Sequence, residues 1–279
     1  MRIATWNINS LRARMDRLLA VIEARRIDVI ALQEIKAKPE QLDLSRLEEL
    51  GFEVSAHGLN QWNGVAIASR VGLSDVRTTI DGLPAWGEGE DAVLEARAIG
   101  ARVGELSPDS RPLDLWSLYV PNGRELDHPH YAYKLHWLEA VRAYGASRLA
   151  EGGPGEDAGA GAATIFAGDF NVAPTDADVW DIAAFAGKTH VSGPERDAIT
   201  ALAEAGYADV TRDWLDTPGT FTYWDYKGLK FTKKQGMRID FLLASPAVRR
   251  ATTGAMIDLD ERAAEGTSDH APVIIDVEL

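Results

Sequence analysis

The 279-residue chain has no cysteine. That absence excludes disulfides, thiolate metal ligands and a thiol nucleophile, and it fits a reducing compartment. Long apolar runs are missing too, and no stretch approaches the roughly 20 residues of a membrane span. The opening Met1-Arg2-Ile3-Ala4-Thr5-Trp6-Asn7 has none of the basic, apolar and small-residue regions of a signal peptide. A cytoplasmic protein with no membrane partner is the expectation. Positive charge is scarce: 29 Lys and Arg stand against 43 Asp and Glu, a formal net charge of −14. Taken as a sum, this argues against a polyanionic partner, because steering of nucleic acid normally needs a positive surface. The scarcity is uneven, however. Lys227, Lys230, Lys233, Lys234 and Arg238 fall in one stretch with no acid among them, and Arg12, Arg14 and Arg17 form a second basic run. Charge pattern alone does not separate a nucleic-acid face from a solvated one.

What is present is an alternation of apolar strands and amphipathic helices. Residues 2–7 and 28–33 read as strands around a helix over about 11–25, where Leu11, Met15, Leu18, Leu19 and Ile22 recur at helical spacing. A further helical pattern covers about 39–50. The stretch 52–120 is mostly strand-like, and 130–149 is helical through Leu135, Leu138, Val141 and Leu149. The second half repeats the order: a strand at about 163–168, helices at 176–185 and 195–205, then strands at 219–224, 238–244 and 271–278. The Gly/Ala-rich segment 151–162 is the only low-complexity stretch, and it reads as a surface insertion within one domain spanning 1–279, because polar clusters of one kind lie on both sides of it.

Those clusters sit at the ends of the apolar runs: Trp6-Asn7-Ile8-Asn9, Gln33-Glu34-Ile35-Lys36, Gly168-Asp169-Phe170-Asn171, Arg238-Ile239-Asp240 and Ser268-Asp269-His270. If the strands share sheets, amides, carboxylates and one imidazole converge at a rim, which is how a rigid scaffold builds a metal-assisted hydrolytic site. Carboxylate and amide oxygens are the ligands Mg²⁺ prefers, and Glu34 with Asn7 is the natural metal pair. Asp169 and Asn171, two apart, would share a side of an extended strand. There one would activate water and the other hold it or the phosphate. His270, with Asp269 before it and Asp240 on a neighbouring strand, would be held charged by its carboxylate partner. His128 and His130 lack a third zinc ligand nearby, and His57, His136 and His190 read as surface or packing residues.

In this order the clusters resemble the exonuclease III family of abasic-site endonucleases, within the wider endonuclease/exonuclease/phosphatase superfamily. Gly64-Val65-Ala66, Tyr119-Val120-Pro121-Asn122-Gly123 and Ala271-Pro272 add to the match, which runs over essentially the whole chain. The resemblance implies an α/β protein, a four-layer α/β/β/α sandwich of two packed mixed sheets with the site at one end. It implies Mg²⁺, with Mn²⁺ as a substitute, held by Asn7 and Glu34 together with Asp269 and with Asp169, Asn171 and His270 near the ion. Asp169 would activate water, Asn171 and Asn122 would position phosphate, Tyr119 would donate to it, and His270 paired with Asp240 would stabilise the pentavalent state. Sequence leaves open whether Asp169 or His270 takes the proton. Asn9, Arg12, Arg124, Lys233 and Lys234 would contact the substrate, and Tyr223, with Trp224 beside it, and Met237 would wall the sugar pocket.

The implied partner is double-stranded DNA with abasic sites or damaged 3′ ends, and the chain would act as a monomer. Two departures fall outside the catalytic core: Asp209-Val210-Thr211-Arg212-Asp213 is atypical, and Lys234 stands where the family often has Asn. The competing readings are a superfamily enzyme acting on inositol or lipid phosphates and a DNA-binding relative with weak chemistry.

Overall fold

In the computed structural model, residues 1–104, 112–151, 162–215 and 217–278 are described. Two six-stranded sheets contain β1 (Arg2–Asn7), β2 (Val29–Gln33), β3 (Glu53–His57), β4 (Val65–Ser69), β5 (Leu73–Arg77), β6 (Ala98–Val103), β7 (Leu113–Tyr119), β8 (Thr164–Asp169), β9 (Ala208–Asp209), β10 (Asp240–Ala244), β11 (Thr252–Ile257) and β12 (Val273–Val277). The helices are α1 (Leu11–Arg25), α2 (Ser45–Glu49), α3 (Pro129–Ala150), α4 (Gly193–Glu204), α5 (Pro246–Ala251) and α6 (Leu259–Ala263). One sheet runs β11-β12-β1-β2-β4-β3 and the other β5-β6-β7-β8-β10-β9. Each has a single parallel pair at its centre, β1 with β2 and β7 with β8. A parallel pair needs a long crossover, and α1 and α3 supply the two.

Three apolar layers hold the stack together. Ile3, Val29, Ile67, Leu115, Ile165, Leu242 and Ile275 fill the space between the sheets. Leu18 and Ile22 of α1 cover Trp6, Ile30 and Leu32 on the outer face of the first sheet. Trp137, Leu138 and Val141 of α3, with Ile199 and Leu202 of α4, cover Trp116, Leu118 and Phe166 on the other. The result is the expected four-layer α/β/β/α sandwich, with no described helix long and apolar enough to cross a membrane.

Alternation along the strands decides where the site falls. Successive strand residues face opposite sides, so the inward row Ile165 and Ala167 continues to Asp169. Leu113, Leu115 and Ser117 lead in the same way to Tyr119, Ala244 and Leu242 to Asp240, and Ile3 and Thr5 to Asn7. The inter-sheet core therefore turns polar one step before the strands end. Gln33 donates to Ser117 Oγ at 2.9 Å and to Thr5 Oγ1 at 3.1 Å, all three buried, forming a satisfied polar layer beneath the one that holds Asn7, Tyr119, Asp169 and Asp240. Gly168 makes this spacing possible. A Cβ there would lie 1.9 Å from the Leu118 carbonyl oxygen.

Several elements differ from the sequence reading. The helix expected over 39–50 is a 3₁₀ turn, Pro39–Gln41, followed by the short α2, because Asp43 bonds the main chain and side chain of Ser45 in between. Residues 176–185 form two 3₁₀ turns, each started by local side-chain bonds from Asp178 and Asp181 that compete with a continuous helix. Residues 219–224 make no strand; Thr222 and Tyr223 donate their N–H groups to Met237 as an isolated bridge. β11 went unread, because Thr252, Thr253 and Gly254 hide its pattern and it carries a register shift at Gly254. Nearly all of 151–162, the expected insertion, lies outside the described residues.

Candidate active site

Sheet register brings three of the expected residues into one row. Tyr119 pairs with Asp169 across β7 and β8, and Asp169 pairs with Asp240 across β8 and β10. The other sheet faces this row with Asn7 at the end of β1, Glu34 just past β2, and Asp269 and His270 just before β12. His270 and Asp240, the expected pair, meet across the slot between the sheets, where His270 Nδ1 lies 2.9 Å from Asp240 Oδ2 and 3.1 Å from Oδ1. His270 Nε2 is then directed at Asp169 Oδ2, 3.8 Å away. Trp6 Nε1 donates to the His270 carbonyl at 3.0 Å, and Ser268 Oγ donates to the Asn7 carbonyl at 2.6 Å, fixing this loop to β1.

Asn7 is a clamp. Its Nδ2 donates to Glu34 Oε1 at 2.9 Å and to Asp169 Oδ2 at 3.0 Å, so one amide spans both sheets. Lys36 Nζ sits 2.8 Å from Glu34 Oε2 and donates to Asn9 Oδ1, while Asn9 Nδ2 donates to Asp269 Oδ1 at 3.0 Å. Asp169 and Asn171 meet, but not as strand neighbours. The strand ends at Asp169, Asn171 takes a left-handed φ of 51°, and Asp169 Oδ1 accepts from the Asn171 N–H at 2.9 Å. Asn171 Nδ2 donates to the Val120 carbonyl, which leaves Oδ1 facing Asn122 Nδ2 at 3.3 Å and His190 Nε2 at 3.1 Å.

Electrostatics follow from this crowding. Burial raises the Asp169 carboxyl to about 7; the His270 charge opposes the rise and the Asp240 charge adds to it. Burial by itself would lower His270, but the charge and hydrogen bond of Asp240 carry it up to about 10, so the imidazole is held as a cation and donor. Burial also works against ionised Glu34, yet Lys36 and the Asn7 amide hold it below the usual carboxylate range. The Tyr119 phenol is pushed well above its ordinary value, by burial first and then by the Glu34 charge, and it remains a donor beneath the Arg97 guanidinium, 4.7 Å from its ring.

A divalent cation fits this donor set. Asp169, Asp240 and His270 bring one atom each within 4.8 Å of one another; with the imidazole held as a cation and donor, the carboxylates of Glu34, Asp169 and Asp269 are the oxygens that would ligate the ion. Oxygen donors dominate, as a hard cation requires.

The substrate-side residues spread around this centre. Tyr223 packs its ring on His270, centroids 4.8 Å apart. Met237 forms the ridge between a groove of about 680 Å³, shared with Asn122, Arg124, Lys188 and His190, and a smaller one of about 270 Å³, shared with Tyr223, Trp180 and Lys230. Trp224 does not wall either groove; it is buried against Phe221 and Phe231 under Arg262. Arg12, Lys233 and Lys234 are exposed, line neither groove and make none of the hydrogen bonds of the centre.

His190 is a correction. It does not serve as surface or packing filler: its Nε2 lies 3.2 Å from Asn122 Nδ2 as well as close to Asn171, and burial lowers it to about 4, so it is neutral. Nothing in its sequence neighbourhood marks it. His128 and His130 hold backbone instead: His128 Nδ1 caps α3, and His130 Nδ1 accepts from the Gly123 N–H.

The model of the endonuclease/exonuclease/phosphatase family matches residues 4–270. An exodeoxyribonuclease III from Haemophilus influenzae is 30% identical over 98% of this chain and 98% of its own. Among solved structures, a 3′ phosphatase from Neisseria bound to a product DNA hairpin is similar with a TM-score of 0.88 and 31% identity over 100% of both chains. An AP endonuclease from Archaeoglobus fulgidus follows with a TM-score of 0.85 and 28% identity, again over 100% of both.

Proposed function

The chain belongs to the endonuclease/exonuclease/phosphatase family, in the branch of exonuclease III and the AP endonucleases, and from that premise we propose that it incises duplex DNA 5′ of abasic sites and removes 3′ blocking groups or nucleotides. It is a DNA-repair nuclease, a metal-dependent phosphodiester hydrolase. Mg²⁺ is the cation this reading assigns, with Mn²⁺ as a substitute, and the enzyme acts as a cytoplasmic monomer whose centre is completed within one chain.

The observation that supports this most is the facing of Asp169 and Asp240 by His270 across the slot. A base works best when its pKa lies near the working pH, and Asp169 at about 7 meets that condition where a free carboxylate would not. Asp169 orients a water and accepts its proton as the water oxygen bonds to phosphorus and the bond from phosphorus to the 3′ oxygen breaks. The His270 cation and the Tyr119 phenol donate to the non-bridging oxygens as charge builds on them, in a buried setting where fixed donors act strongly. Asn122 and Asn171 position the phosphate. Glu34 and Asp269, clamped through Asn7 and Asn9, would hold the cation, and a bound cation would supply neutralisation of charge on the phosphate and the leaving oxygen. Arg12, Arg124, Lys233 and Lys234 contact the flanking backbone; such contacts place the duplex and carry little sequence information.

The test is a duplex with one abasic analogue, and a second with a 3′-phosphate, each incubated with Mg²⁺ or with chelator. Metal-dependent incision and 3′-phosphate release are expected. Turnover of an inositol phosphate with neither DNA activity would overturn the reading.

A further inference from the structure

α3 carries a lysine that never reaches solvent. The Lys134 side chain and its partner Glu195 on α4 are both 0% exposed. Lys134 Nζ uses its three donors at one point: it donates to the Asn171 carbonyl at 2.6 Å, to the Asn122 carbonyl at 3.3 Å, and to Glu195 Oε1. The stem passes directly beneath Gly123, whose φ of 92° suits glycine and where a Cβ would stand 3.2 Å from Lys134 Cδ. Glu195 turns its second oxygen to Ser192, accepting from both its N–H and its hydroxyl, at the start of α4. The loop held there carries His190, whose carbonyl accepts from the Ala173 N–H and whose ring meets Asn122 and Asn171.

A buried ion pair is weak support for stability, because desolvating both charges offsets most of their attraction. Three convergent donors at one ammonium are a different matter: they fix the separation of the two backbone segments that present Asn122 and Asn171.

We propose that Lys134 is a positioning residue, a strut that sets the two phosphate-holding amides by tying their own carbonyls together, with Glu195 anchoring the strut to α4. The proposal rests on the phosphate-positioning roles given to Asn122 and Asn171 above. It concerns geometry, so the rate should follow Lys134 even where stability does not.

The experiment combines Lys134→Met with Glu195→Gln, which removes both charges and keeps an acceptor for Ser192. Lys134→Met alone leaves a buried carboxylate unpaired and should lower Tm sharply; the pair should recover most of that loss. The pair variant should still lose roughly 10- to 100-fold in kcat, the usual cost of removing a partner that orients a site residue, with KM for DNA little changed. In an Asn171→Ala background the same pair should cost less than about threefold, since effects acting through one residue do not add. Recovery of kcat together with Tm would make the ion pair merely structural and overturn the proposal, as would a full second loss in the Asn171→Ala background. If the pair variant does not fold, Lys134→Arg keeps a cation beside Glu195 and supports the same cycle; additivity with Asn171→Ala overturns the strut there too. Asn171→Ala with undiminished kcat would instead remove the phosphate-positioning reading, and the strut with it.

Discussion

The slot between the sheets and the loop after Trp224 have opposite construction. In the slot, Asn7, Asp169, Asp240 and His270 are 0%, 2%, 1% and 4% exposed, each held by at least one side-chain partner. In the loop, Lys227, Lys233 and Lys234 are exposed, and Leu229 shows 68% of its surface. Chemistry on a phosphodiester gains from donors fixed in a low-dielectric site, whereas attraction to a polyanion needs only charge at the surface and tolerates movement. The difference also explains how so acidic a chain serves DNA. Its site carboxylates are folded into the slot beside His270 and Lys36, while Lys227, Lys233 and Lys234 of the loop, Arg12 and Arg124 are left exposed.

The widest separation of the two regions should come from Asp169→Asn. Loss of the base should lower kcat by about 10²- to 10⁴-fold, while duplex Kd and Tm hold or Tm rises, because a buried charge facing Asp240 is removed. A collapse of Tm in calorimetry would mean that Asp169 supports the fold instead of the reaction. Neutralising Lys233 and Lys234 together should act in reverse. Duplex affinity should weaken, and the slope of log K against log salt should flatten by up to about 2 if each lysine meets one phosphate, with kcat at saturating DNA moving far less. An unchanged slope would place the DNA elsewhere.

Titration sharpens the contrast further. His130 and His190, outside the carboxylate row, are lowered to about 4 from 6.5 by burial, so the stability they contribute is complete above 6.5 and is lost as pH falls toward 4. His270 is raised to about 10, so its contribution is complete below 6.5 and is lost as pH rises toward 10. Thermal unfolding followed from pH 4 to 10 should therefore peak near the middle of that range; stability still climbing from pH 7 to 10 would contradict a charged His270. The smallest effect is expected at the ridge between the grooves. Met237→Ala and Tyr223→Phe should shift the ratio of abasic incision to 3′-end trimming severalfold, read on paired substrates, with little change in affinity for undamaged duplex.

Much of the slot was legible in the sequence because strand ends announce themselves. An apolar row that ends in Asp169 or in Gln33-Glu34 places a costly group where only a partner justifies it. The central strands and both crossover helices were legible for the same reason, from the periodicity of Leu18 and Ile22 or of Leu138 and Val141. What stayed hidden depends on contacts far apart in the chain. His190 is an isolated histidine in sequence, and only folding brings it to Asn171, 19 residues away. Lys134 reads as one more charge on a helix until α4 closes over it. The 219–224 segment has strand-like residues, but its N–H groups are divided among the Thr217, Met237 and Asp269 carbonyls, and the isolated bridges of Tyr223 to Met237 and His270 are not a ladder.

Hydrolysis by water attack at phosphorus can be tested by carrying out one turnover of the abasic duplex in ¹⁸O-labelled water and weighing the two product ends. Label in the phosphate of the downstream fragment, with an unlabelled 3′-hydroxyl upstream, is the expected result. A 3′-unsaturated sugar, or label in the hydroxyl instead of the phosphate, would contradict a slot in which Asp169 delivers water to phosphorus.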